Sequence, residues 1–201
     1  TPERSSAASD VYKRQTDDFL STLILAEEEG EKLSNWEMCA LTGAVLAAGS
    51  DTAVDLHSYL IKALLSHPEQ LEELKQDEEL IQNAISETLR YESSGKTGLA
   101  RYVSEDMELL GVEVKKGQMI QLITSTAGLD PNTYDDPDTF DIHRNHDKSI
   151  SFGQGPHYCI GVTLVRSQTE VMLRELFNRF PNLSLTGCLL YTSDAADERS
   201  G

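Results

Sequence analysis

The chain is 201 residues long and carries 34 acidic against 17 basic side chains, a net charge of −17. So acidic a body repels phosphate backbones, which argues against a nucleic-acid binder. Its three cysteines make no disulfide framework and no apolar run is long enough to span a bilayer, so the reading is a cytoplasmic protein with no membrane partner.

The two ends need separating from the rest. Ser5–Gln15 (SSAASDVYKRQ) and Cys188–Glu198 (CLLYTSDAADE) can be encoded by opposite strands of one DNA segment, read in different frames. Two peptides from a single inverted repeat did not arise by selection for folding. They read as translated sequencing-library adaptor at residues 1–15 and 188–201, flanking an insert at 16–187, and such tails are left out of fold reasoning. Cys39 and Cys159 are the cysteines that remain.

In chain order, Thr16–Gly30 reads as a short helix with Phe19, Leu20, Leu23 and Ile24 on one face and an acidic end at Glu27–Glu29. Ser34-Asn35-Trp36-Glu37 has capping-box spacing, and a helical pattern then persists to Leu65, too long for an ordinary surface helix. Ser66-His67-Pro68-Glu69 repeats the box ahead of a helix to Gln76. A further helix covers Glu78–Tyr91, with Ile81, Ala84, Ile85 and Leu89 inward. Strands are expected at Leu99–Val103, Met107–Val114 and Gln118–Ile123, with Lys116-Gly117 as the hairpin turn between the last two. Asp130–Arg144 is a long Pro- and Asp-rich loop, and a last helix runs from Gly161 to Phe180.

Three stretches carry chemistry. In Ser151–Gly161 (SFGQGPHYCIG), glycines let the backbone approach a flat ligand, and Cys159 stands at a helix start where a thiolate is stabilised. Zinc is the rival, with His143, His146, His157 and Cys159 as donors; on spacing alone heme and zinc both stay open. Ala48-Gly49-Ser50-Asp51-Thr52 sets a carboxylate and a hydroxyl beside a mid-helix glycine. Thr52 bonding back to the Ala48 carbonyl would loosen the helix into a notch able to hold dioxygen; a close helix crossing is the plainer reading of that glycine. Glu87-x-x-Arg90 is one helical turn and on its own says only ion pair.

Phe152–Gly161 fills every fixed position of F-G-x-G-x-H-x-C-x-G and resembles the heme-ligand loop of the cytochrome P-450 family. Ala48–Thr52 is similar to that family's oxygen-activating motif A-G-x-[D/E]-T, and Glu87-x-x-Arg90 to its E-x-x-R pair, in the family order. The resemblance, running from Asp17 to Leu185, implies a mainly α fold: the C-terminal part of a P-450 domain, with a long central helix, further helices, a small antiparallel sheet and the cysteine loop. It implies heme b (iron protoporphyrin IX) with Cys159 as axial ligand of the iron. Phe152, Gly153, Gly155, Gly161, Ala48 and Gly49 would lie against the cofactor, and Arg101 and His157 would pair with its propionates. Asp51 and Thr52 would deliver protons to dioxygen, Glu87, Arg90 and Arg144 would brace the loop, and Ala44, Val45, Ala48 and Leu99 would border a small organic substrate. Electrons would come from NAD(P)H through a reductase and a ferredoxin or flavodoxin, with Lys148 and Arg166 as docking charges.

The implied activity is monooxygenation. A peroxide-driven peroxygenase is the enzymatic alternative, against which Asp51-Thr52 argues, and a zinc-binding or structural helical module is the non-catalytic one. Ser149, Leu129, Ser94 and Gln168 depart from the family's frequent His, Arg, Pro and Glu, and Ser149 implies one propionate contact fewer. Histidine two residues before the cysteine resembles the soluble bacterial branch. With much of the family fold missing, the chain alone is expected to be poorly soluble and to hold heme weakly.

Overall fold

The computed structural model describes residues 19–25, 27–28, 31–95 and 98–186. Both adaptor-like tails, Gly30 and positions 96–97 lie outside them. The chain divides into two compact units, residues 1–51 and 52–201.

The first unit holds α1 (Phe19–Leu25), a two-residue pairing of β1 (Glu27–Glu28) with β2 (Glu31–Lys32), and the start of α2 (Asn35–Ser66). The expected helix over Thr16–Gly30 is corrected where it is described: it covers Phe19–Leu25, and Glu27–Glu28 pair as a strand with Glu31–Lys32, while positions 16–18, 26 and 29–30 lie outside the described residues. The capping box at the start of α2 forms as its spacing predicts. The Ser34 Oγ and backbone N–H both donate to Glu37 Oε2, at 2.7 and 2.8 Å, and the Glu37 N–H returns a 3.3 Å bond to Ser34 Oγ. Two donors with no partner inside the helix are thereby satisfied. The helix then runs 32 residues, about 48 Å at 1.5 Å per residue.

The second unit is built on the end of α2, α3 (Pro68–Gln76), α4 (Leu80–Tyr91) and α6 (Val162–Arg179). Leu56, Leu60, Ala63 and Leu64 recur at three- and four-residue spacing and so share one face of α2. That face packs with Leu71 and Leu74 of α3, Ile81, Ala84, Ile85 and Leu89 of α4, and Leu173 and Phe177 of α6. Burying each of the large side chains contributes roughly 1.5–3 kcal/mol. Phe140 and Ile142, from the long loop, complete the core and anchor that loop to the helices. The expected box at Ser66 does not form. Ser66 ends α2, His67 caps α3 without a side-chain hydrogen bond, and Pro68 takes the first turn, where its missing N–H costs nothing.

The strands differ from expectation in two ways. Met107–Val114 is not one strand but β4 (Met107–Leu109) and β5 (Val112–Val114), paired across a two-residue turn at Leu110 (φ 51°) and Gly111 (φ 82°). Two successive positive φ values make the tight hairpin turn whose twist matches paired strands. Lys116-Gly117 is a turn, closed by the Gln118 N–H on the Lys115 carbonyl, but the strands beside it do not pair with each other. Instead β6 (Met119–Leu122) pairs antiparallel with β3 (Leu99–Tyr102), Arg101 opposite Ile120. A short helix, α5 (Thr124–Ala127), leads into the irregular stretch that carries Phe140, Ile142 and the cysteine loop.

Candidate functional site

Two groups of side chains define the site, one sealed and one open. The sealed group starts on α4, where Asn83, Glu87 and Arg90 stand at i, i+4 and i+7 and so share a face. Arg90 is 1% exposed and Glu87 fully buried. The guanidinium grips the carboxylate with two 2.7 Å hydrogen bonds. Its remaining donors reach the carbonyls of Gly128 and Pro137, both at 2.7 Å, and of Thr139 at 2.9 Å. Glu87 also accepts the Asp141 N–H at 2.9 Å and Arg144 Nε at 3.3 Å, while Arg144 donates to the carbonyls of Asp135, Asp136 and Thr139. Glu87, Arg90 and Arg144 therefore meet, and together they hold the loop from Asp135 to Arg144 by its backbone. Gly128 is required here for closeness: a Cβ would run into the Arg90 carbonyl.

Gln70 and Asn83 hold the same loop, and neither was among the candidate residues. The Gln70 amide pairs like a strand, donating to the Phe140 carbonyl and accepting the Ile142 N–H, both at 2.9 Å. Asn83 donates to the carbonyls of Ile142 and Arg144. The available signal for Asn83 was its place on the Glu87–Arg90 face; for Gln70 it was a polar residue four before the buried Leu74.

The open group is the cysteine loop. Gly153 (φ 77°) and Gly155 (φ 71°) take backbone conformations that side chains resist, and a Cβ on Gly155 would meet nothing within 4 Å. A 3₁₀ turn at Gly155–His157 follows. The Cys159 N–H closes the loop on the Phe152 carbonyl at 2.9 Å, and α6 begins three residues on. Cys159 is a free, half-buried thiol; His157, Tyr158 and Ile160 beside it are exposed. Arg101 is exposed on β3, its side-chain hydrogen bond going to the neighbouring Ala100 carbonyl. Among the described residues no hydrogen bond joins Arg101, His157 and Cys159 to one another. Ser149, in the position read as a lost propionate contact, donates to Ser151 Oγ at 3.1 Å.

On α2, the helix continues unbroken through Ala48–Thr52, and an added Cβ on Gly49 would meet nothing within 4 Å, so a close helix crossing is not its reason among the described residues. Ala44, Val45, Ala48, Asp51 and Thr52 are exposed, as is Leu99 on β3. Ser50 Oγ donates to Asp51 Oδ1 at 3.4 Å.

The donors fit a ligand needing one protein sulfur and an open backbone cradle. They do not fit zinc: among the described residues no three His, Cys, Asp or Glu side chains converge. His143 instead bonds Glu73 at 2.7 Å on the surface, while His146 is inside, 3.6 Å from Glu87. Arg166, read as a docking charge, is half-buried and turned inward, donating to the Gln82 carbonyl and side chain and to Ser86 Oγ.

The family model described as Cytochrome P450 matches residues 2–185. The chain belongs to the cytochrome P450 family. It is 39% identical over 168 residues to the epothilone C/D epoxidase of Sorangium cellulosum, covering 84% of this chain and 40% of that protein. To the biotin biosynthesis cytochrome P450 of Bacillus subtilis it is 36% identical over 173 residues, 86% of this chain and 44% of that one. Among solved structures, the epothilone D-bound cytochrome P450epoK superposes with a TM-score of 0.82 at 36% identity, over 90% of this chain and 45% of that chain. PksS of Bacillus subtilis gives 0.83 at 34%, over 93% and 48%. The fold is therefore the mainly helical P450 fold, and the chain spans less than half the length of these P450 relatives. Membership in the family implies heme, which is what the open cysteine cradle can take. No helix among the described residues is long and apolar enough to cross a membrane.

Proposed function

We propose that residues 16–187 are the C-terminal part of a heme-thiolate monooxygenase, in which Cys159 would hold the iron of heme b through its sulfur. The observation that carries this is the free, half-buried Cys159 thiol at the end of a loop opened by two left-handed glycines. When bound, the heme supplies dioxygen activation and oxygen insertion, chemistry that no amino-acid side chain has. The chain's own residues hold and feed it. Cys159 gives the iron an electron-rich sulfur; Phe152, Gly153, Gly155 and Gly161 shape the face that receives the macrocycle. Arg101 and His157, both exposed, would pair with the propionates. On α2, by resemblance to the family motif, Ala48 and Gly49 would lie against the cofactor, and Asp51 and Thr52 would hold and deliver protons. Ala44, Val45 and Leu99 border a small organic substrate, while a ferredoxin or flavodoxin with its NAD(P)H reductase supplies electrons in the cytoplasm. Lys148, exposed, is the docking charge that remains.

The deciding experiment uses the complete parent protein. Reduced and treated with carbon monoxide, it is expected to show the red-shifted Soret band of thiolate-ligated heme. Cys159→Ser should lose that band and oxygenation together; a variant keeping both would remove Cys159 from the iron.

A further inference from the structure

We propose a second site beside the first: the pocket between α4, α6 and the loop before Cys159 binds a small tetrahedral oxyanion of the phosphate class. This cavity of about 140 Å³ has Ser86, His146, Ser149, Ser151, Tyr158 and Arg166 as its polar wall, and among the described residues no carboxylate lines it. The pocket borders the cysteine loop and shares Phe152 with the face proposed for the macrocycle, but Cys159, Gly153 and Gly155 are not among its lining residues, and the volume is far too small for a macrocycle. A water occupies ~30 Å³ in the liquid, so there is room for four or five waters or for one tetrahedral oxyanion.

The donors in this pocket are unfinished. His146 has a side chain only 10% exposed, yet neither ring nitrogen has a hydrogen-bond partner. A buried polar group left this way costs roughly 1–3 kcal/mol unless something fills the gap. Ser149 gives its hydroxyl hydrogen to Ser151 Oγ, which leaves the Ser151 hydroxyl hydrogen free to point inward. Arg166 commits one nitrogen to Gln82 and one bond of the other to Ser86, keeping Nε–H and a second N–H unassigned. Spare donors thus come from the Ser151 hydroxyl, the Arg166 N–H groups and one N–H of the His146 ring, the complement of a phosphate oxygen; the second ring nitrogen becomes a donor once the ring takes up a proton.

The local field agrees with that assignment although the whole chain is strongly acidic. Glu87 lies 3.6 Å from His146 but is gripped by both Arg90 and Arg144, and Glu170, which accepts from Gln82, is paired with Arg174. Three guanidiniums, Arg90, Arg144 and Arg166, and the single carboxylate of Glu87 act on His146, so the field at the ring is positive. Burial first, and then those arginines, hold the His146 ring below its ordinary pKa; Glu87 pulls the other way. An incoming oxyanion would offset the arginines and let the ring take up a proton.

The test is a calorimetric titration of the complete, heme-loaded protein with inorganic phosphate and with sulfate, against chloride of equal ionic strength. Saturable binding of one anion per chain is expected, weakened about tenfold or more by His146→Ala and several-fold by Ser151→Ala. Lys116→Gln, an exposed cation outside the pocket, should change it less than about twofold. Sulfate, whose own charge is constant there, should bind more tightly at about pH 6 than at about pH 8, with the His146 ring pKa rising on saturation. If His146→Ala fails to fold, Ser151→Ala and the ring titration of the unsubstituted protein decide. Absence of saturable binding, indifference to both substitutions, or an equal loss in Lys116→Gln overturns the proposal.

Discussion

Around Arg90, each guanidinium edge meets a carboxylate or a backbone carbonyl, and the carboxylate in turn is shared with Arg144 and a backbone N–H. Around Cys159, the loop makes its own backbone turns and leaves thiol, imidazole and glycine faces pointing outward. Both belong to the same compact unit, and both come from short motifs. The first has no capacity left for a ligand; the second has little else. A buried charge pair with every bond made fixes one backbone path, since any alternative strands a charge in a dry interior. A binding loop has to leave its polar groups unfinished until the ligand arrives.

Changes on each side test this contrast. The largest effect is expected from Glu87→Gln, which leaves two arginines without their counter-charge. Unfolding of the complete protein by urea should show a loss of about 3–5 kcal/mol. A loss below about 1 kcal/mol would mean that the backbone carbonyls suffice to hold Arg90. Gly155→Ala comes next. It imposes a left-handed conformation on a residue with a Cβ, costing about 1–2 kcal/mol without touching any neighbour, and heme retention should fall with it. Cys159→Ser sharpens the comparison from the other side, abolishing the thiolate optical signature while moving the stability of the heme-free protein by less than about 1 kcal/mol. A large destabilisation there would make the thiol structural.

The pH response should be smallest and should come from two half-buried histidines. Burial lowers the pKa of His57 and, with the arginines, of His146 below the ordinary imidazole value of about 6.5. A depressed folded-state pKa means that the unfolded chain binds protons first. The stability these rings contribute is present above pH 6.5 and is lost as pH falls through the folded-state values. Urea midpoints should therefore drop on mild acidification, and a His57→Gln, His146→Gln double variant should flatten that slope. His57 has a definite tautomer to lose: Thr169 gives its own hydrogen to the Val165 carbonyl, so its oxygen must accept from His57 Nε2–H at 3.0 Å.

Reading residues in order reached as far as local physics reaches. The Ser34–Glu37 box and the inward face of α4 were legible, because both depend on residues three or four apart. The box at Ser66 was misread for an equally local reason, as Pro68 suited the first turn of α3 better and left Ser66 to the preceding helix. The break at Leu110-Gly111 was missed because leucine is a poor marker for a positive φ and only the glycine hinted at it. That β6 pairs with β3, across the intervening hairpin, has no signature in either strand.

For the site, the glycines, cysteine and histidine of Phe152–Gly161 were recognisable because a ligand loop must keep its chemistry contiguous. The state of Glu87-x-x-Arg90 was not. The same four letters describe a solvated surface pair worth a few tenths of a kcal/mol, and only the arrival of Gly128, Pro137, Thr139 and Arg144 around it turns it into a buried clamp. The amino-acid order thus determined which short segments could turn, cap and ligate. Tertiary structure alone decided which charges went dry and which donors, His146 among them, were left waiting, because burial depends on what packs from far along the chain.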